Sequence, residues 1–254
     1  MRILVTGAAS GLGAALATAF EARGDEVLRT DLRDADLNLD VTSGDDWAAA
    51  LAHVERTWGG LDVLVNNAGV AGGGRLDVAT IDEWRWITEI NLFGAVRGTR
   101  TFVPLFKRQR SGHIVNVASL AGLVHPGGMG SYNAVKAAVV AFTETAGHEL
   151  AAYGVTAHAV CPSYFRTNLM SSMQGRDETL GKVIASLVES SPITADDIAA
   201  AVLEGLARGD ELILPDRAAR DAYGLKQRDR AGYDQVMRAQ AVRLDSLDPE
   251  GNRQ

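Results

Sequence analysis

The sequence predicts a single α/β domain built on a parallel sheet, and three observations support this fold class. Short apolar runs alternate with longer helical stretches along the chain. Most of the apolar runs are continuous rather than alternating with polar residues, which is typical of strands buried on both faces. A length of 254 residues suits one large α/β domain better than two smaller ones. We therefore predict a doubly wound, Rossmann-type parallel sheet with helices on both faces.

Six strands are predicted from short runs rich in apolar residues: Ile3–Val5, Glu26–Arg29, Val63–Val65, Ile114–Val117, Val155–Val160 and Glu211–Leu214. Helical stretches lie between them, at 11–23, 44–58, 80–108, 131–152 and 194–208. Because helices separate the strands, the pattern predicts βαβ units with right-handed crossovers.

Two segments depart from this alternation. Residues 163–192 mix apolar and polar side chains without a clear period, and we expect an irregular substrate loop near the carboxyl ends of the strands. An ordinary surface excursion is the alternative. Residues 216–254 are rich in arginine and aspartate. They predict a charged, mainly helical and mostly exposed extension to a catalytic domain at 1–215, which could pair with another subunit.

Charge and histidine placement exclude some classes of ligand. The net charge is −7 and no long basic segment occurs, so nucleic acid is not an expected partner. The five histidines are scattered without the spacing of metal ligands, so no metal site is predicted.

Cysteine use and the distribution of apolar residues indicate a cytoplasmic protein. The single cysteine, Cys161, lies in an apolar strand and fits a reducing compartment. Met1 and Arg2 run directly into the first predicted strand, so we expect no signal peptide. No apolar run approaches the ~20 residues that a membrane span needs. The four tryptophans are assigned to core or helix packing.

A glycine pattern joins the first strand to the first helix. Glycines at such a turn let bare amide groups approach a pyrophosphate, and the helix N-terminus beyond them adds a partial positive charge. A purely structural turn is the alternative, but the position between a strand and a helix favours a dinucleotide site. The predicted cofactor contacts here are Gly7, Ser10, Gly11, Leu12 and Gly13.

Asp31 ends the second predicted strand, near the ~20-residue spacing at which a carboxylate meets the adenosine ribose hydroxyls. A carboxylate accepts hydrogen bonds from two hydroxyls and repels a 2′-phosphate, so we expect NAD rather than NADP. Arg29 and Arg33 count against this, because either could swing toward a phosphate. Ser10 favours NAD, since phosphate-binding proteins of this kind often carry a basic residue there. A solvated loop acid is the alternative for Asp31.

Six short motifs follow one another in a recognisable order. They are the Gly7–Gly13 turn, Asp40–Val41, Asn66–Gly69, Asn91 within Asn91–Gly94, the strand Ile114–Val117 leading to Ser119, and Tyr132 with Lys136. Each is weak alone, but the set in this order and spacing is specific. Over roughly residues 2–215 the chain resembles the classical short-chain dehydrogenase/reductase family.

The resemblance implies roles for individual residues. The implied catalytic residues are Asn91, Ser119, Tyr132 and Lys136. Besides Tyr132, Lys136 and the residues given above, the implied cofactor contacts are Asp40, Val41, Asn67, Ala68, Gly69, Pro162 and Thr167.

The chain departs from the family pattern in two places. Ser163 follows Pro162 where the family usually has glycine, which puts the hold on the nicotinamide carboxamide in doubt. The C-terminus lacks the glycine-rich ending common in tetrameric members. A homodimer through the helices at 80–108 and 131–152 and a homotetramer both remain open.

Tyr132 and Lys136 are four residues apart and therefore share one face of a helix. A free phenol has a pKa of about 10, and we expect the nearby ammonium to lower it. Tyr132 would act as general acid/base. Ser119 would hydrogen-bond the substrate oxygen. Lys136 would also bind the nicotinamide ribose. By resemblance, Asn91 would anchor a water that links Lys136 to solvent.

The sequence thus predicts an NAD-dependent alcohol dehydrogenase or carbonyl reductase. It would interconvert a secondary alcohol and a ketone, with a hydrophobic small molecule as substrate because the 163–192 loop is partly apolar. The first alternative is an NADPH-dependent ketoreductase on the same fold. A non-catalytic nucleotide-sensing protein is the second, and retention of all four catalytic residues counts against it.

Overall fold

A seven-stranded, fully parallel sheet forms the centre of the computed structural model, which describes residues 1–248. Its strand order is β3-β2-β1-β4-β5-β6-β7. The strands are β1 (Arg2–Thr6), β2 (Glu26–Asp31), β3 (Leu37–Asn38), β4 (Val63–Asn66), β5 (Gly112–Val117), β6 (Val155–Val160) and β7 (Leu212–Ile213).

Helices connect the strands and cover both faces of the sheet. They are α1 (Gly11–Ala22), α2 (Gly44–Trp58), α3 (Ile81–Thr88), α4 (Gly94–Gln109), α5 (Ala121–Val124), α6 (Gly130–Leu150), α7 (Glu178–Glu189), α8 (Ala195–Arg208), α9 (Arg217–Arg228) and α10 (Arg230–Ser246). Short 3-10 helices occupy Ala151–Tyr153 and Asn168–Ser172. Among residues 1–248, no helix is both long enough and apolar enough to cross a membrane.

The strands β1, β4, β5 and β6 contribute side chains to two separate apolar layers. Ile3 and Val5 of β1 pack on one face with Phe20 of α1. Leu4, between them, packs on the other face with Trp47 of α2. Both layers are buried, which explains the continuous apolar character of the strands. The predicted doubly wound parallel sheet is confirmed.

The predicted helix at 80–108 is interrupted. α3 and α4 are joined by a π-helical turn, Glu89–Phe93. This turn holds one residue more than an α-helical turn would. An apolar period cannot reveal such a turn, because both flanking helices keep their own period. The strand β3, which has only two residues, was not predicted from the sequence either.

The prediction of an irregular segment at 163–192 is wrong for its second half, because α7 lies there. Asp177 caps the helix by accepting a hydrogen bond from the Leu180 backbone N–H at 3.1 Å. Leu180, Ile184 and Val188 form one buried stripe at four-residue spacing. That spacing is legible in the sequence, but scattered polar residues around it obscure the period.

The chain after residue 215 forms α9 and α10. Most side chains on them are exposed, but Tyr233 and Leu244 are buried. Leu244 belongs to an apolar cluster with Met129 of the 125–130 turn and Leu180 of α7. The last predicted residues of the extension, 249–254, lie outside the described residues.

Candidate active site

A cleft of about 1270 Å³ runs along the carboxyl edge of the sheet, where the strand order reverses between β1 and β4. Two of the predicted site residues, Gly13 and Asn91, do not line it. Those that do are Gly7, Ser10, Gly11, Leu12, Asp31, Asp40, Val41, Asn67, Ala68, Gly69, Ser119, Tyr132, Lys136, Pro162 and Thr167. Across residues 1–248, no group of three or more His, Cys, Asp or Glu could hold a metal ion.

The glycine turn has the backbone conformation that the sequence implied. Gly7 and Gly11 have φ values of +66° and +54°, a region that L side chains rarely adopt. A Cβ at Gly11 would lie 2.8 Å from the Thr167 hydroxyl oxygen, so Thr167 closes over the turn. A Cβ at Gly13 would collide with the Gly7 carbonyl behind the loop. Gly13 therefore permits close packing within the turn rather than lining the cleft.

Asp31 is fixed against the glycine turn. One carboxylate oxygen accepts a hydrogen bond from the Ala9 backbone N–H at 3.0 Å, and the other accepts one from Leu32 N–H at 2.7 Å. Arg29 instead donates to both oxygens of Glu21 on α1, at 3.0 and 2.8 Å. Of the two arginines considered as phosphate contacts, only Arg33 lines the cleft, where it is exposed. Arg29 is therefore removed from that role.

Asp40 and Val41 form a rigid part of the cleft wall. An Asp40 carboxylate oxygen accepts hydrogen bonds from the Thr42 backbone N–H and hydroxyl, both at 2.8 Å. The Val41 carbonyl accepts one from the Trp47 indole N–H at 3.1 Å. These bonds hold the turn before α2 at the cleft.

Thr6, at the end of β1, organises the segment that follows β4. Its hydroxyl oxygen accepts hydrogen bonds from the backbone N–H groups of Asn67 and Ala68, both at 3.0 Å. The Asn67 side chain donates in return to the Thr6 carbonyl at 2.9 Å. Thr6 directly precedes the glycine turn in the sequence, but nothing in the local pattern predicts this role.

Asn91 lies in the π-helical turn and is buried. Its carbonyl oxygen accepts from the Val70 N–H at 2.8 Å, and its amide donates to the Val70 carbonyl at 3.0 Å. The side chain therefore fixes the backbone beside the cleft. Its role in a proton relay stays a prediction.

Ser119, Tyr132 and Lys136 converge at the carboxyl end of β5. Ser119 follows the strand, and its hydroxyl is hydrogen-bonded to Tyr132. Tyr132 and Lys136 lie on the same face of α6, with the ammonium 5.7 Å from the Tyr132 ring centre. The ammonium donates to the Val117 carbonyl at 2.9 Å. The two residues that α6 presents to the cleft thus face the strand that delivers the serine.

Burial sets the proton affinity of these groups. It raises the pKa of Tyr132 to about 12, and the hydrogen bond with Ser119 offsets only part of this rise. Burial lowers the pKa of Lys136 to about 8. The protein's own groups therefore raise the pKa of Tyr132, and the expected lowering is not found. Desolvation of the phenol dominates, and the ammonium bonds a backbone carbonyl.

The family assignment follows from this constellation together with a comparison of sequences. A family model described as short chain dehydrogenase matches residues 1–178. The chain belongs to the short-chain dehydrogenase family. Its glycine turn, Ser119, Tyr132 and Lys136 line one cleft.

Individual members of the short-chain dehydrogenase family are similar over most of the chain. A 2-(R)-hydroxypropyl-CoM dehydrogenase of Xanthobacter autotrophicus is 33% identical over 79% of this chain and 88% of its own length. Momilactone A synthase of Oryza sativa subsp. japonica is 34% identical over 79% of this chain and 81% of its own. A Burkholderia phymatum short-chain dehydrogenase/reductase, solved in complex with NAD, has a TM-score of 0.83 and 29% identity. That match covers 90% of this chain and 93% of the solved one.

Ser163, where this short-chain dehydrogenase departs from the family pattern, bonds the start of the C-terminal helices. Its backbone N–H and its hydroxyl donate to the two oxygens of Asp216, at 2.9 and 2.7 Å. Asp216 is buried and also caps α9 by accepting from the Ala219 N–H at 2.8 Å. The side chain that replaces glycine thus ties the cleft wall after Pro162 to α9.

The end of the cleft beyond Tyr132, lined by Trp86, Met129, Ile184 and Val188, is apolar, and we refer to it as the substrate end. Sequence reasoning missed several of its residues. Ile184 and Val188 were missed because α7 was not predicted. Trp86, assigned to packing, lines the cleft, so that assignment is corrected. Tyr164 lies in the predicted 163–192 loop, and its phenol is close enough to affect Tyr132 electrostatically. Only proximity in the fold, which one sequence does not show, reveals these roles.

Proposed function

We propose that this short-chain dehydrogenase is an NAD-dependent oxidoreductase that interconverts a secondary alcohol and a ketone. The observation that carries the proposal is the convergence of Ser119, Tyr132 and Lys136 in the cleft that the glycine turn also lines. An acid/base group, a hydrogen-bond donor and a cation at one point beside a dinucleotide-binding turn suit hydride transfer at a carbon bearing oxygen.

Tyr132 exchanges the proton with the substrate oxygen. Because burial raises its pKa to about 12, the phenol keeps its proton near neutral pH and is ready to donate to a carbonyl oxygen. Alcohol oxidation requires the phenolate instead. Lys136, with a pKa of about 8, is mostly charged at pH 7 and favours that form.

Ser119 and Asn91 support this chemistry in different ways. The Ser119 hydroxyl donates to the substrate oxygen and holds it beside Tyr132. Asn91 keeps the backbone at Val70 in place through two hydrogen bonds. A water held at Asn91, connecting Lys136 to solvent, completes the proposed proton path.

The cleft residues fit a nicotinamide dinucleotide. Gly7 and Gly11 leave the backbone bare where a pyrophosphate would lie, and the N-terminus of α1 points its amides there. When bound, the nicotinamide supplies or accepts the hydride. Asp31, held by two backbone N–H groups, suits ribose hydroxyls and repels a 2′-phosphate. The similarity to a relative solved with NAD adds support.

One observation favours the NADPH-dependent alternative. Arg33 is exposed and lines the adenosine end of the cleft near Asp31, where it could meet a 2′-phosphate. Asp31 outweighs it, because its carboxylate is fixed by the fold whereas the Arg33 side chain must be ordered to bind.

The substrate is proposed to be a neutral, mainly apolar molecule. The lining beyond Tyr132 is dominated by apolar side chains: Val70, Trp86, Ile90, Val124, Met129, Tyr164, Met170, Met173, Ile184 and Val188. The charged lining residues on this side are Arg85 and Glu89, and salt bridges pair them with Asp82 and Arg97. A carboxylate or phosphate on the substrate would therefore meet no unpaired cation among the described residues of this wall.

A homodimer or homotetramer in the cytoplasm completes the proposal. Phe93, at the junction of the π turn and α4, is 45% exposed, and Ile81 of α3 is 65% exposed, which suits burial against a second copy. Cys161 is fully buried and free, as suits a reducing compartment. Analytical ultracentrifugation distinguishes the two assemblies from a monomer.

Parallel titration with NADH and NADPH, followed by protein fluorescence, tests the function. Tighter NADH binding, with turnover of neutral apolar secondary alcohols or their ketones, supports the proposal. Tighter NADPH binding transfers it to a ketoreductase with Arg33 as the phosphate contact. Binding without turnover of any alcohol or ketone indicates a nucleotide-sensing protein, and binding of neither nucleotide overturns the proposal.

A further inference from the structure

Two glycine clusters with no part in catalysis, one at 72–74 and one at 127–130, meet at the substrate end of the cleft. The segment Gly72–Gly74 follows β4, and its first and last residues form parallel bridges with Gln174 and Met129. Gly73 has a φ of +141°, and a Cβ there would lie 3.4 Å from the Met129 Cα. The segment is therefore packed between the 163–192 loop and the 125–130 turn.

Arg75, directly after these glycines, joins three separate parts of the chain. Its backbone N–H and its Nε donate to Asp177 Oδ2, both at 2.9 Å, and its Nη2 donates to Asp177 Oδ1 at 3.1 Å. Nη2 also donates to Asp248 Oδ2 at 2.8 Å, and Nη1 lies 3.6 Å from an Asp245 oxygen. The guanidinium thus links the start of α7 to the end of α10.

The pair between Arg75 and Asp177 is well shielded from solvent. The side chain of Asp177 is 0% exposed and that of Arg75 is 12% exposed. Burial raises the pKa of Asp177, but hydrogen bonds from Arg75 and Leu180 outweigh it and leave the pKa below its usual value. Loss of the guanidinium would leave a buried carboxylate without its counter-ion at the first turn of α7.

α7 supplies part of the substrate wall. Ile184 and Val188 line the cleft, and Leu180, one turn before Ile184, packs with Met129 in the same apolar cluster. Because the three residues share one face of a rigid helix, a shift at the Asp177 end moves the lining residues too. The position of α7 therefore sets the shape of the substrate end.

α10 supports the same wall from outside. Leu244 is buried in the cluster with Met129 and Leu180, and a Cβ at Gly128 would lie 2.7 Å from its Cδ2. The Tyr233 hydroxyl donates to the carbonyl of Val124, a cleft-lining residue, at 2.6 Å. The C-terminal helices thus contact the substrate wall at two places besides Arg75.

We propose that Arg75 is a positioning residue for substrate selection. It fixes α7 against Gly72–Gly74, while the carboxylates of Asp245 and Asp248 at the end of the C-terminal helices hold its guanidinium. It acts on the substrate through Ile184 and Val188 and does not line the cleft itself. This inference rests on the proposed function, since it assumes that the apolar end of the cleft receives the substrate.

The chain offers a matched control for the test. Arg2 donates to Asp62 in the same manner: its backbone N–H and Nε bond Oδ2 at 2.7 and 3.1 Å, and its Nη2 bonds Oδ1 at 2.7 Å. This pair lies at the amino end of the sheet, away from the cleft. Arg2→Met therefore removes an ion pair of the same geometry, more exposed than that of Arg75 and Asp177, without touching the substrate wall.

Steady-state kinetics with a small and a bulky secondary alcohol, 2-propanol and 1-indanol, distinguish positioning from general destabilisation. In Arg75→Met we expect KM for 1-indanol to rise about tenfold, while kcat and the KM for 2-propanol stay within about twofold. Arg75→Lys, which keeps the charge but replaces the planar guanidinium with a single donor nitrogen, should fall between. Arg2→Met should leave the ratio of the two alcohols unchanged.

Equal losses for the two alcohols, or the same change of ratio in Arg2→Met, would overturn the inference. Hydrogen exchange across residues 180–188 in the same proteins gives a second, independent test. Arg75→Met should speed exchange there about tenfold, with α1 unaffected, and unchanged exchange also overturns the inference. If the wild-type protein turns over no alcohol or ketone, the proposed function fails, while the exchange result still decides whether Arg75 holds α7.

Discussion

The two ends of the cleft are held together by contacts of different range. At the cofactor end, Asp31 bonds the backbone of Ala9 and of its own neighbour Leu32, so a few consecutive motifs complete the structure. At the substrate end, Arg75 reaches Asp177 across 102 positions of sequence. Tyr233 likewise reaches Val124 across 109. Although Thr167 also closes over the glycine turn, the hydrogen bonds that hold Asp31 thus span far less of the sequence than those that hold the substrate end.

We therefore expect substitutions at the two ends to alter different properties of the protein. Changes at the cofactor end should alter nucleotide affinity, and changes at the substrate end should alter selectivity or stability. Ser119 and Tyr132, the proposed hydrogen-bond donor and acid/base group, lie at the boundary and should affect turnover with little effect on nucleotide affinity.

Tyr132→Phe gives the largest expected effect and tests that boundary. Loss of the phenol hydroxyl removes the proton donor, so kcat should fall at least about 10³-fold while the Kd for NADH stays within about twofold. Steady-state rates and a fluorescence titration measure the two quantities. Tyr153→Phe, which alters a phenol in the 3-10 helix before β6, at the amino end of the sheet, is the control. Rates near wild type in Tyr132→Phe would remove the proposed mechanism.

Lys136→Met should change how stability depends on pH. Burial lowers the pKa of Lys136 to about 8, against 10.5 for the free side chain. Between these values the unfolded chain binds more protons than the folded one, so this group makes the free energy of unfolding rise with pH. From pH 7 to pH 9.5, the wild-type protein should gain about 2 kcal/mol relative to the variant.

Urea unfolding followed by circular dichroism at several pH values measures that difference. Lys182→Met serves as the control, because the Lys182 side chain is 81% exposed. Identical pH slopes for the wild-type protein and Lys136→Met would show that the ammonium is not desolvated as the structure indicates.

Asp31→Ala tests how the cofactor end of the cleft selects between NADH and NADPH. Loss of the carboxylate removes two hydrogen bonds to ribose hydroxyls, so the Kd for NADH should rise about tenfold. The Kd for NADPH should change less, because repulsion of its phosphate is relieved at the same time. Asp36→Ala, outside the cleft in the same turn, is the control. Weakened binding of NADPH alone would show that the cofactor assignment is wrong.

Ser163→Ala should have the smallest effect and tests whether this residue serves the cofactor or the fold. It removes the hydrogen bond to Asp216 Oδ1 but keeps the one from the backbone N–H. The free energy of unfolding should drop by about 1 kcal/mol, with NADH affinity unchanged. Ser246→Ala, at the end of α10 and outside the cleft, likewise removes one hydroxyl hydrogen bond and is the comparison. A fall in NADH affinity without loss of stability would place Ser163 at the cofactor instead.

The contact between the glycine turn and Asp31 could be predicted from the sequence. The glycine turn and Asp31 have a fixed spacing from strand and helix boundaries, so their meeting in space follows from the topology alone. Tyr132 and Lys136 share a helix face for the same reason. The predicted doubly wound sheet is confirmed, and the family that the motifs resemble is confirmed by the match over residues 1–178.

The substrate end resisted prediction for physical reasons. Arg75 and Asp177 belong to segments whose proximity depends on how loops cross, and no local pattern marks them as partners. The helix α7 has a legible apolar stripe, yet its polar surroundings suggest an irregular loop. The predicted fall in the pKa of Tyr132 is wrong because one sequence shows a neighbouring charge but not the extent of burial.

The π-helical turn at Glu89–Phe93 makes this region sensitive to chain length rather than to side-chain identity. Removing one residue there would restore ordinary winding and rotate α3 by about 100° relative to α4. Trp86 would then leave the cleft, although Phe102 of α4 could stay in the core. A single-residue deletion would therefore spare the sheet while turning α3 and Trp86 away from the substrate wall, whereas a substitution in the turn would change one side chain and leave the winding intact.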